Sequence, residues 1–572
     1  NQTFEIPFPN AVPNSETIIR FRNATASFSP SSFTFTVNNS NTYNVDYPQV
    51  NINSLTQGHA IEREESFVNN SNTINVNIMF NNNGNPSASG YLDYIEILGK
   101  KQLISSDFQF SFRNFEQEDT NDVVEFQLQN AASIFQIWDV TDFINPKNIQ
   151  NQTTGSSFNF KANGGTLNEY IVLNENDYYT PEAIDNSIVE NQNLHSLQDI
   201  NYIVVTTSEF AEQASRLTNY HKENSNLITK VVLLDEIYNE FGSGSPDITA
   251  IRDFLKHIYD NNSSPDKKLQ YVCFFGDGSY DYKDRLINNT NIVPVYLASR
   301  KQGNGFNLAT SFVTDDYFAM LEDSDGLMQS FNTVEIATSR IPVNTNQQAS
   351  DVVDKILSYY QVDKFGDWRN SITLMSDDID RRGEEIIEQG MERIADSIKE
   401  NRPDLNVTKI YADAFVQQNS SGGQRYPDVN TNLLNAFEKG TLVYDYFGHG
   451  GEDGLAAERL LTIAEIEALN NTFLPLLVTV TCDFTRFDNP LRITAGERVF
   501  WKKNGGVANL ITTTREVFIN IGQTFNENLI KVLLAFNQED LSISQALAET
   551  KNNTSSRQKF FIYNIGDPAM KL

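Results

Sequence analysis

The chain has 572 residues, of which 39% are hydrophobic and 11% aromatic, so it can bury several cores and is not a disordered chain. Its net charge of −31 argues against nucleic acid and anionic lipid as partners, because both attract clustered lysine and arginine. No apolar run approaches the roughly 18 residues of a membrane-spanning helix. Two cysteines, Cys273 and Cys482, are too few for a disulfide framework or a cysteine-based zinc site.

The first 190 residues have the pattern of an all-β region. Short stretches of alternating apolar and polar residues are separated by Asn, Ser, Pro and Gly, and no helical stretch of about 12 residues interrupts them. This pattern predicts one or two antiparallel β domains over 1–190. The predicted strands are Phe33–Val37, Ile74–Met79, Tyr91–Ile97, Phe108–Phe112 and Val123–Leu128.

Strands and helices alternate after residue 200, which predicts a mostly parallel sheet with helices on both faces. The rhythm restarts near Phe365–Trp368, so we expect two consecutive α/β units, 200–365 and 366–572. In the first unit the predicted strands are Tyr202–Thr207, Leu227–Leu234, Leu269–Phe275 and Val334–Ser339, and the predicted helices are Phe210–Tyr220, Ile248–Tyr259 and Ala349–Tyr360. In the second unit strands begin near Ser371, Val407, Thr441, Leu474 and Gly506, with a last one at Phe560–Tyr563, and helices lie at about 384–399, 430–438, 462–468, 494–503 and 524–536.

Two of the predicted strands in the second unit end in residues that can carry chemistry. Thr441–Phe447 leads into His449, and Leu474–Thr481 leads into Cys482. Ligands of parallel sheets bind beyond the carboxyl ends of the strands, so the pair fits a cysteine nucleophile with a histidine base. The imidazole could raise the thiolate fraction or take the proton during attack. The N–H groups of Gly450 and Cys482 would then stabilise an oxyanion.

Each of these residues also has a purely structural interpretation. A free cysteine usually packs as a small hydrophobe, and Cys273, with apolar neighbours on both sides, is predicted to do so. Cys482 alone would be interpreted in the same way, but His449 at an equivalent strand end favours the catalytic interpretation. The remaining histidines lie in predicted loops or on amphipathic helices and are expected at the surface.

Several segments resemble the gingipain family of caspase-like cysteine peptidases. Within the family, the match is to the branch that processes exported proteins, because the β-rich front half has no counterpart in plain gingipains. The matching segments are Gly90–Glu96, Trp138–Asp142, Phe275–Lys283, Thr314–Ala319, Ser339–Asn344, Tyr446–Gly451, Thr481–Pro490, Ala495–Arg498 and Ile565–Ala569.

The resemblance implies roles for individual residues. It makes His449 the general base and Cys482 the nucleophile. It also implies a carboxylate that orients the imidazole just after the first strand of the second unit, where Asp378 or Asp377 is the candidate. The following loop, 379–383, is short and basic, which disfavours the acidic pocket of an Arg- or Lys-specific gingipain and suits small or polar residues at the cleavage site.

No cofactor is expected to be required, but the resemblance makes structural calcium a candidate. Aspartates cluster in predicted loops after the strands of the first unit, and Asp323–Gly326 is similar to a calcium loop without its later glutamate. Solvated acidic loops are the ordinary interpretation in so acidic a chain. The aspartates concerned are Asp277, Asp281, Asp315, Asp316, Asp323 and Asp325.

The leading functional hypothesis follows from the resemblance. It is a cell-surface cysteine endopeptidase and transpeptidase, peripheral to the bacterial outer membrane, that removes C-terminal sorting domains from type IX secretion substrates. An amine of lipopolysaccharide, or water, would resolve the thioester, and the outer-membrane β-barrel PorV would be its partner. Two alternatives stay open: a secreted broad-specificity gingipain-type protease, which would shed its front half as a pro-peptide, and a non-catalytic adhesin or scaffold.

Overall fold

The computed structural model describes residues 1–51, 54–106, 108–153, 155–182, 189, 191–299, 305–307, 310–420 and 423–572. The chain forms two compact units, one of residues 1–190 with 302–306 and one of 191–301 with 307–572. Residue 190, where the sequence places the end of the β-rich region, lies outside the described residues. No helix among the described residues combines the length and the apolar character needed to cross a bilayer.

The front unit consists of β-strands, as predicted. Its strands are β1 (Gln2–Pro7), β2 (Ser15–Ala26), β3 (Ser31–Val37), β4 (Asn41–Tyr47), β5 (Thr56–Asn69), β6 (Thr73–Asn81), β7 (Ser89–Gly99), β8 (Phe110–Arg113), β9 (Val123–Gln129), β10 (Gln136–Asp139), β11 (Lys147–Ile149), β12 (Ser157–Asn163) and β13 (Glu169–Leu173).

Two separate apolar cores hold this unit together. The sheet β1-β6-β3-β4 packs on the sheet that contains β5, β2 and β7, and Phe21 stacks on Phe35 across the gap with ring centroids 3.8 Å apart. The sheet β11-β10-β13-β8 packs on the pair β12-β9 around Phe126, Phe160 and Tyr170. Along these strands buried and exposed residues alternate, which is why the sequence pattern predicts them.

The second unit contributes the remaining strands and all the α-helices. Its strands are β14 (Tyr202–Thr206), β15 (Thr229–Leu233), β16 (Tyr271–Phe275), β17 (Tyr296–Ser299), β18 (Gly305–Asn307, of which 305–306 belong to the front unit), β19 (Ser311–Thr314), β20 (Ala337–Ile341), β21 (Ser371–Ser376), β22 (Asn406–Tyr411), β23 (Gln418–Ser420), β24 (Gly423–Arg425), β25 (Val443–Phe447), β26 (Gly450–Gly451), β27 (Gly454–Leu455), β28 (Leu461–Thr462), β29 (Leu476–Thr479), β30 (Asn509–Thr513) and β31 (Ile562–Ile565). The helices are α1 (Ala211–Asn224), α2 (Leu234–Phe241), α3 (Ile248–Asp260), α4 (Asn346–Tyr359), α5 (Glu385–Asn401), α6 (Pro427–Lys439), α7 (Ile463–Ala468), α8 (Ala495–Trp501), α9 (Ile519–Leu533) and α10 (Ile543–Asn552).

The α/β fold class is confirmed, but both predicted α/β units share a single sheet. Its ten strands have the order β15-β14-β16-β20-β31-β30-β29-β25-β21-β22. Successive residues of β14 belong to different cores, Val204 to one and Val205 to the other, so helices cover both faces of the sheet. The sequence pattern predicts two sheets because it describes neighbours along the chain, whereas the joining strand comes from the far end of the chain.

The last strand, β31, joins the two halves. It pairs in parallel with β20 of the first half and antiparallel with β30 of the second. All the other pairs in this sheet are parallel, so the strands on either side of the β31/β30 junction run in opposite directions. The carboxyl ends of the two halves therefore lie at opposite edges of the sheet.

A buried clip fixes the chain just after β31. The Asn509 side chain donates to the Asp567 carbonyl at 2.9 Å and accepts from the Asp567 N–H at 2.8 Å. Gly566, which directly precedes Asp567, has a φ of +134°. A Cβ placed on Gly566 would lie 1.5 Å from Asn509 Oδ1. The Asp567 carboxylate accepts hydrogen bonds from His221 of α1 at 2.7 Å and Tyr360 at 2.5 Å, so the clip also ties the chain end to the first half.

We expect Gly566→Ala to destabilise the protein by roughly 2–4 kcal/mol, because it combines an unfavourable φ with overpacking against Asn509. Gly326→Ala is the matched control, since a Cβ at Gly326 meets nothing within 4 Å. The measurement is the free energy of unfolding in urea. Equal stability of the two variants would contradict the inference that the clip is tightly packed.

Candidate active site

The structure brings the His449 and Cys482 segments to the same edge of the sheet. Strands β25 and β29 are parallel neighbours, paired from Val443 with Leu476 to Tyr446 with Thr479. His449 follows the end of β25 by two residues, and Cys482 follows the end of β29 by three. Continuous apolar strands that run side by side therefore deliver both residues to one place.

Thr481 holds the two strand ends together. Its Oγ1 donates to the Gly448 carbonyl at 2.7 Å, and its own carbonyl accepts a hydrogen bond from the Thr513 hydroxyl of β30. A Cβ on Gly450 would lie 2.6 Å from Thr481 Oγ1. Glycine at position 450 is thus required by the close approach of Thr481.

The His449 imidazole faces a carboxylate that the sequence analysis missed. The His449 Nε2 atom lies 3.3 Å from Glu384 Oε1. The His449 side chain is about half exposed, whereas the Glu384 side chain is buried. Glu384 is fixed in turn, because its Oε2 accepts the backbone N–H groups of Asp380 at 3.0 Å and Arg381 at 2.8 Å. Glu384 immediately precedes α5, so its position depends on how the 379–383 loop folds back over the start of that helix.

Asp378 and Asp377, which the sequence analysis gives as candidates for orienting the imidazole, bind other groups. Asp378 Oδ2 accepts from Gln417 Nε2 at 3.2 Å and from the Tyr426 hydroxyl at 3.1 Å. Asp377 Oδ2 accepts the backbone N–H of His449 at 2.9 Å. Within the described residues neither carboxylate hydrogen-bonds the imidazole, so we correct the assignment of the orienting group from Asp378 to Glu384.

Burial keeps the Cys482 thiol protonated at neutral pH. Removal from water is the main cause that raises its pKa to about 11, and the negative charges of Glu516 and Asp483 add to this. The sulfur accepts the backbone N–H of Val517, which works in the opposite direction. No hydrogen bond joins this thiol to His449 among the described contacts. Of the two expected modes of activation, the structure favours proton removal during attack over a standing thiolate.

The backbone next to His449 fixes the direction of the Gly450 N–H. The His449 carbonyl accepts the N–H of Ala456 at 2.9 Å, and Gly450 is the next residue of the β26/β27 ladder, opposite Leu455. Because antiparallel pairs alternate, the N–H of Gly450 points away from β27. The oxyanion roles of the Gly450 and Cys482 N–H groups stay predictions.

A cleft of about 890 Å³ begins at His449, Gly450 and Glu384 and extends over β26–β28. The 379–383 loop, which is predicted to be basic, contributes Asp380 and Arg381 to the wall of the cleft. Charged residues of both signs line the cleft as a whole. The cationic residues are Arg381, Arg459 and Arg492, and the anionic ones, besides Glu384, are Asp380, Glu452, Asp453 and Asp483. Glu452 and Asp453 pair with Arg492, whereas Asp380 and Asp483 form no ion pair among the described residues.

The aspartates predicted as calcium ligands are divided among protein partners. Asp315 forms a buried ion pair with Arg340 at 2.7 Å, and Asp316 forms one with Lys551 at 2.6 Å. Asp325 accepts from the Asn332 amide, and Asp281 accepts two backbone N–H groups. Among the described residues, the acidic groups close enough to share an ion are Asp377, Asp378 and Glu458, with oxygens within 4.8 Å of one another. This spacing fits shared protons as well as a cation, so we assign no metal to it, and calcium stays a prediction.

Comparisons with known proteins agree with the geometry. The model of peptidase family C25 matches residues 195–572. The crystal structure of dimeric latent PorU from Porphyromonas gingivalis superposes with a TM-score of 0.64 at 21% identity, covering 100% of this chain and 49% of PorU. The Arg-specific cysteine proteinase gingipain R (RgpB) matches with a TM-score of 0.49 at 16% identity, covering 67% of this chain and 80% of the other. The complex of the pro- and mature domains of P. gingivalis RgpB gives 0.47 at 15% identity, with coverages of 65% and 79%. Comparison with curated protein sequences gives no match.

We expect alkylation of Cys482 by iodoacetamide to be slow at pH 7 and to rise steadily up to pH 10, since burial raises the pKa of the thiol to about 11. Cys273 is fully buried and its pKa is raised to about 12, so it should label only after unfolding. Mass spectrometry of the labelled peptides measures both rates, with Cys482→Ala as the control. A plateau below pH 8 would show that the thiol is already ionised in the resting protein.

Proposed function

Because the chain belongs to peptidase family C25 and is a gingipain-family cysteine peptidase, we propose that Cys482 is its nucleophile and His449 its general base. The observation that carries the proposal is the delivery of both residues by the neighbouring parallel strands β25 and β29, with Glu384 on the imidazole. Glu384 would hold the ring in position and stabilise its protonated form, as the third member of catalytic triads does.

The proposed first step is attack on the scissile carbonyl. His449 takes the proton of the Cys482 thiol while the sulfur bonds to the carbonyl carbon. The carbonyl oxygen becomes an oxyanion, and the N–H groups of Gly450 and Cys482 donate to it. When the C–N bond breaks, the proton passes from His449 to the leaving amine, which departs as the new amino terminus.

The second step consumes the thioester left on Cys482. Water or an amine attacks its carbonyl carbon, His449 accepts the proton of the attacking group, and the thiol is released with a proton. Water gives hydrolysis, and an amine gives transfer of the new carboxyl terminus. The raised pKa of Cys482 means that the histidine must act at the moment of attack in both directions.

For the biological role we propose removal of C-terminal sorting domains from type IX secretion substrates. Support comes from the likeness to PorU, which extends over the whole chain and includes the front unit. The chain spans about half the length of PorU, so activities of the whole PorU protein are proposals here. Attachment to an amine of lipopolysaccharide, association with the β-barrel PorV and a place at the cell surface belong to the same proposal.

Cys482→Ala should abolish cleavage of a cargo protein that carries its sorting domain, by at least about 10⁴-fold, because no other group can form the thioester. Cys273→Ala is the control, since Cys273 lies inside β16 and should affect stability and not turnover. Cleavage is followed by electrophoresis with purified components. Processing by Cys482→Ala at the wild-type rate would rule out Cys482 as the nucleophile.

Glu384→Gln should lower kcat/KM roughly a hundredfold, because a neutral amide does not stabilise the protonated imidazole. The adjacent Glu385→Gln is the matched control, since Glu385 is exposed and, among the described residues, accepts only the backbone N–H of Gly383. Steady-state cleavage of a peptide spanning a processing site measures the effect. Asp378→Asn tests the original assignment, and a larger loss there than in Glu384→Gln would restore it.

A further inference from the structure

Three buried carboxyl groups lie together behind the His449 backbone. Asp377, Asp378 and Glu458 are 2%, 4% and 3% exposed, and their nearest oxygens lie within 4.8 Å of one another. None of the ion pairs among the described residues includes any of the three. Carboxylates this close and this buried cannot all be ionised at once, because desolvation and mutual repulsion both oppose it.

Further acidic groups lie near the cluster. Asp380 acts on Glu458, and Asp413, after β22, acts on Tyr426 beside Asp378. The other groups that face the cluster are Tyr426 and the Gln417 amide on Asp378, and Tyr446 and the His449 N–H on the Asp377 side. A proton is therefore the available counter-charge inside the cluster.

The position of that proton follows from the contacts. Asp377 Oδ2 accepts the His449 N–H, whereas Asp377 Oδ1 is buried without a hydrogen-bond partner. Burial is the main cause that raises the pKa of Asp377 to about 8, and the charges of Asp378 and Glu458 raise it further. At neutral pH the cluster thus keeps a proton on the side of Asp377 Oδ1, and Oδ2 is left to accept the His449 N–H.

The contact with His449 is tight. Besides the 2.9 Å hydrogen bond, a Cβ placed on Gly448 would lie 2.4 Å from Asp377 Cβ, so the backbone before His449 rests directly on Asp377. On the other side the Tyr446 hydroxyl donates to the His449 carbonyl at 2.5 Å. The His449 backbone is therefore supported directly by Asp377, and loss of this contact leaves the His449 N–H without its acceptor.

We propose that Asp377 is a positioning residue for His449, and that a proton shared among Asp377, Asp378 and Glu458 holds it in place. The proposal rests on the proposed catalytic role of His449. When the proton leaves, repulsion within the cluster pushes Asp377 out of its contact with the His449 backbone. Catalysis therefore declines on the alkaline side even though the thiol becomes more reactive there.

Two substitutions distinguish the effect of the shared proton from that of the hydrogen bond between the His449 N–H and Asp377. Asp377→Asn keeps an oxygen acceptor for the His449 N–H, and its amide hydrogens replace the shared proton at every pH. Asp377→Ala removes both. We expect Asp377→Ala to lower kcat/KM about tenfold, which is the size of one lost hydrogen bond. We expect Asp377→Asn to have the kcat/KM of the wild type at neutral pH and to lack the decline in kcat/KM above pH 8. Wild-type turnover by Asp377→Ala would overturn the positioning role.

A readout without turnover comes from the five histidines of the chain. With ¹³C-labelled histidine, the ring signal of His449, assigned by its loss in His449→Gln, should show an inflection near pH 8 that is absent from Asp377→Asn. The absence of this inflection from the wild type would overturn the proposal. Because the signal does not require peptide cleavage, it distinguishes failure of this proposal from failure of the proposed function.

Stability gives a second test with a defined sign. The folded-state pKa of Asp377 is raised, so between about pH 4 and pH 8 the folded protein holds a proton that the unfolded chain has released, and stability falls as pH rises. The asparagine of Asp377→Asn does not titrate, so this variant does not lose stability in that way as pH rises. The Tm of the variant minus the Tm of the wild type should therefore grow from pH 5 to pH 8. Glu392→Gln, which removes an exposed carboxylate paired with Lys409, is the control and should show no such trend. A constant difference for Asp377→Asn would contradict the shared proton.

The same experiment tests a cation in place of the proton. Millimolar CaCl₂ should leave the Tm of the wild type unchanged at pH 7. If calcium raises the Tm of the wild type and not that of Asp377→Asn, the cluster binds a cation, and the shared proton is wrong.

Discussion

The peptidase unit depends on the insertion of strand β31 between β20 and β30. Without it the first four strands and the last five would be two separate sheets with exposed edges, and unpaired strand edges are unstable and prone to association. Asn509, Gly566 and Asp567 secure the insertion on one side, and His221 and Tyr360 secure it on the other. The edge that carries His449 and Cys482 keeps its geometry because this central strand fixes the neighbouring β30 and β29.

The site combines burial with a small number of exact contacts. Thr481 ties the Cys482 segment to the His449 loop, Glu384 fixes the imidazole, and the acidic cluster supports the His449 backbone. Burial of the Cys482 thiol has two consequences. It keeps the thiol neutral and unreactive at rest, and it makes the attack depend on His449 being correctly placed when substrate arrives. Such an arrangement limits reaction with adventitious thiol reagents without reducing the proposed reactivity toward a bound peptide.

The sequence predicts those features that depend on local pattern and fails where distant residues decide. Apolar runs locate β25 and β29, and the rule that ligands bind at carboxyl strand ends is enough to pair His449 with Cys482. Glu384 is missed because its contact depends on the folding of the 379–383 loop. The continuous sheet is missed because the pairing of β31 with β20 joins residues more than 200 positions apart along the chain. The aspartates around Asp315 resemble calcium ligands in sequence, but Arg340 and Lys551, which neutralise them, come from other parts of the fold.

The late position of β31 has a consequence for biogenesis. The central sheet cannot close until residues 562–565 have joined it, so a chain that emerges from the ribosome amino terminus first completes this sheet only after those residues have been made. The front unit has its own two cores, and all of its residues precede position 307, so it can fold earlier. An emerging chain would therefore carry a folded β module and an inactive peptidase. Such an order of folding would keep the peptidase inactive while most of its own chain is still being made.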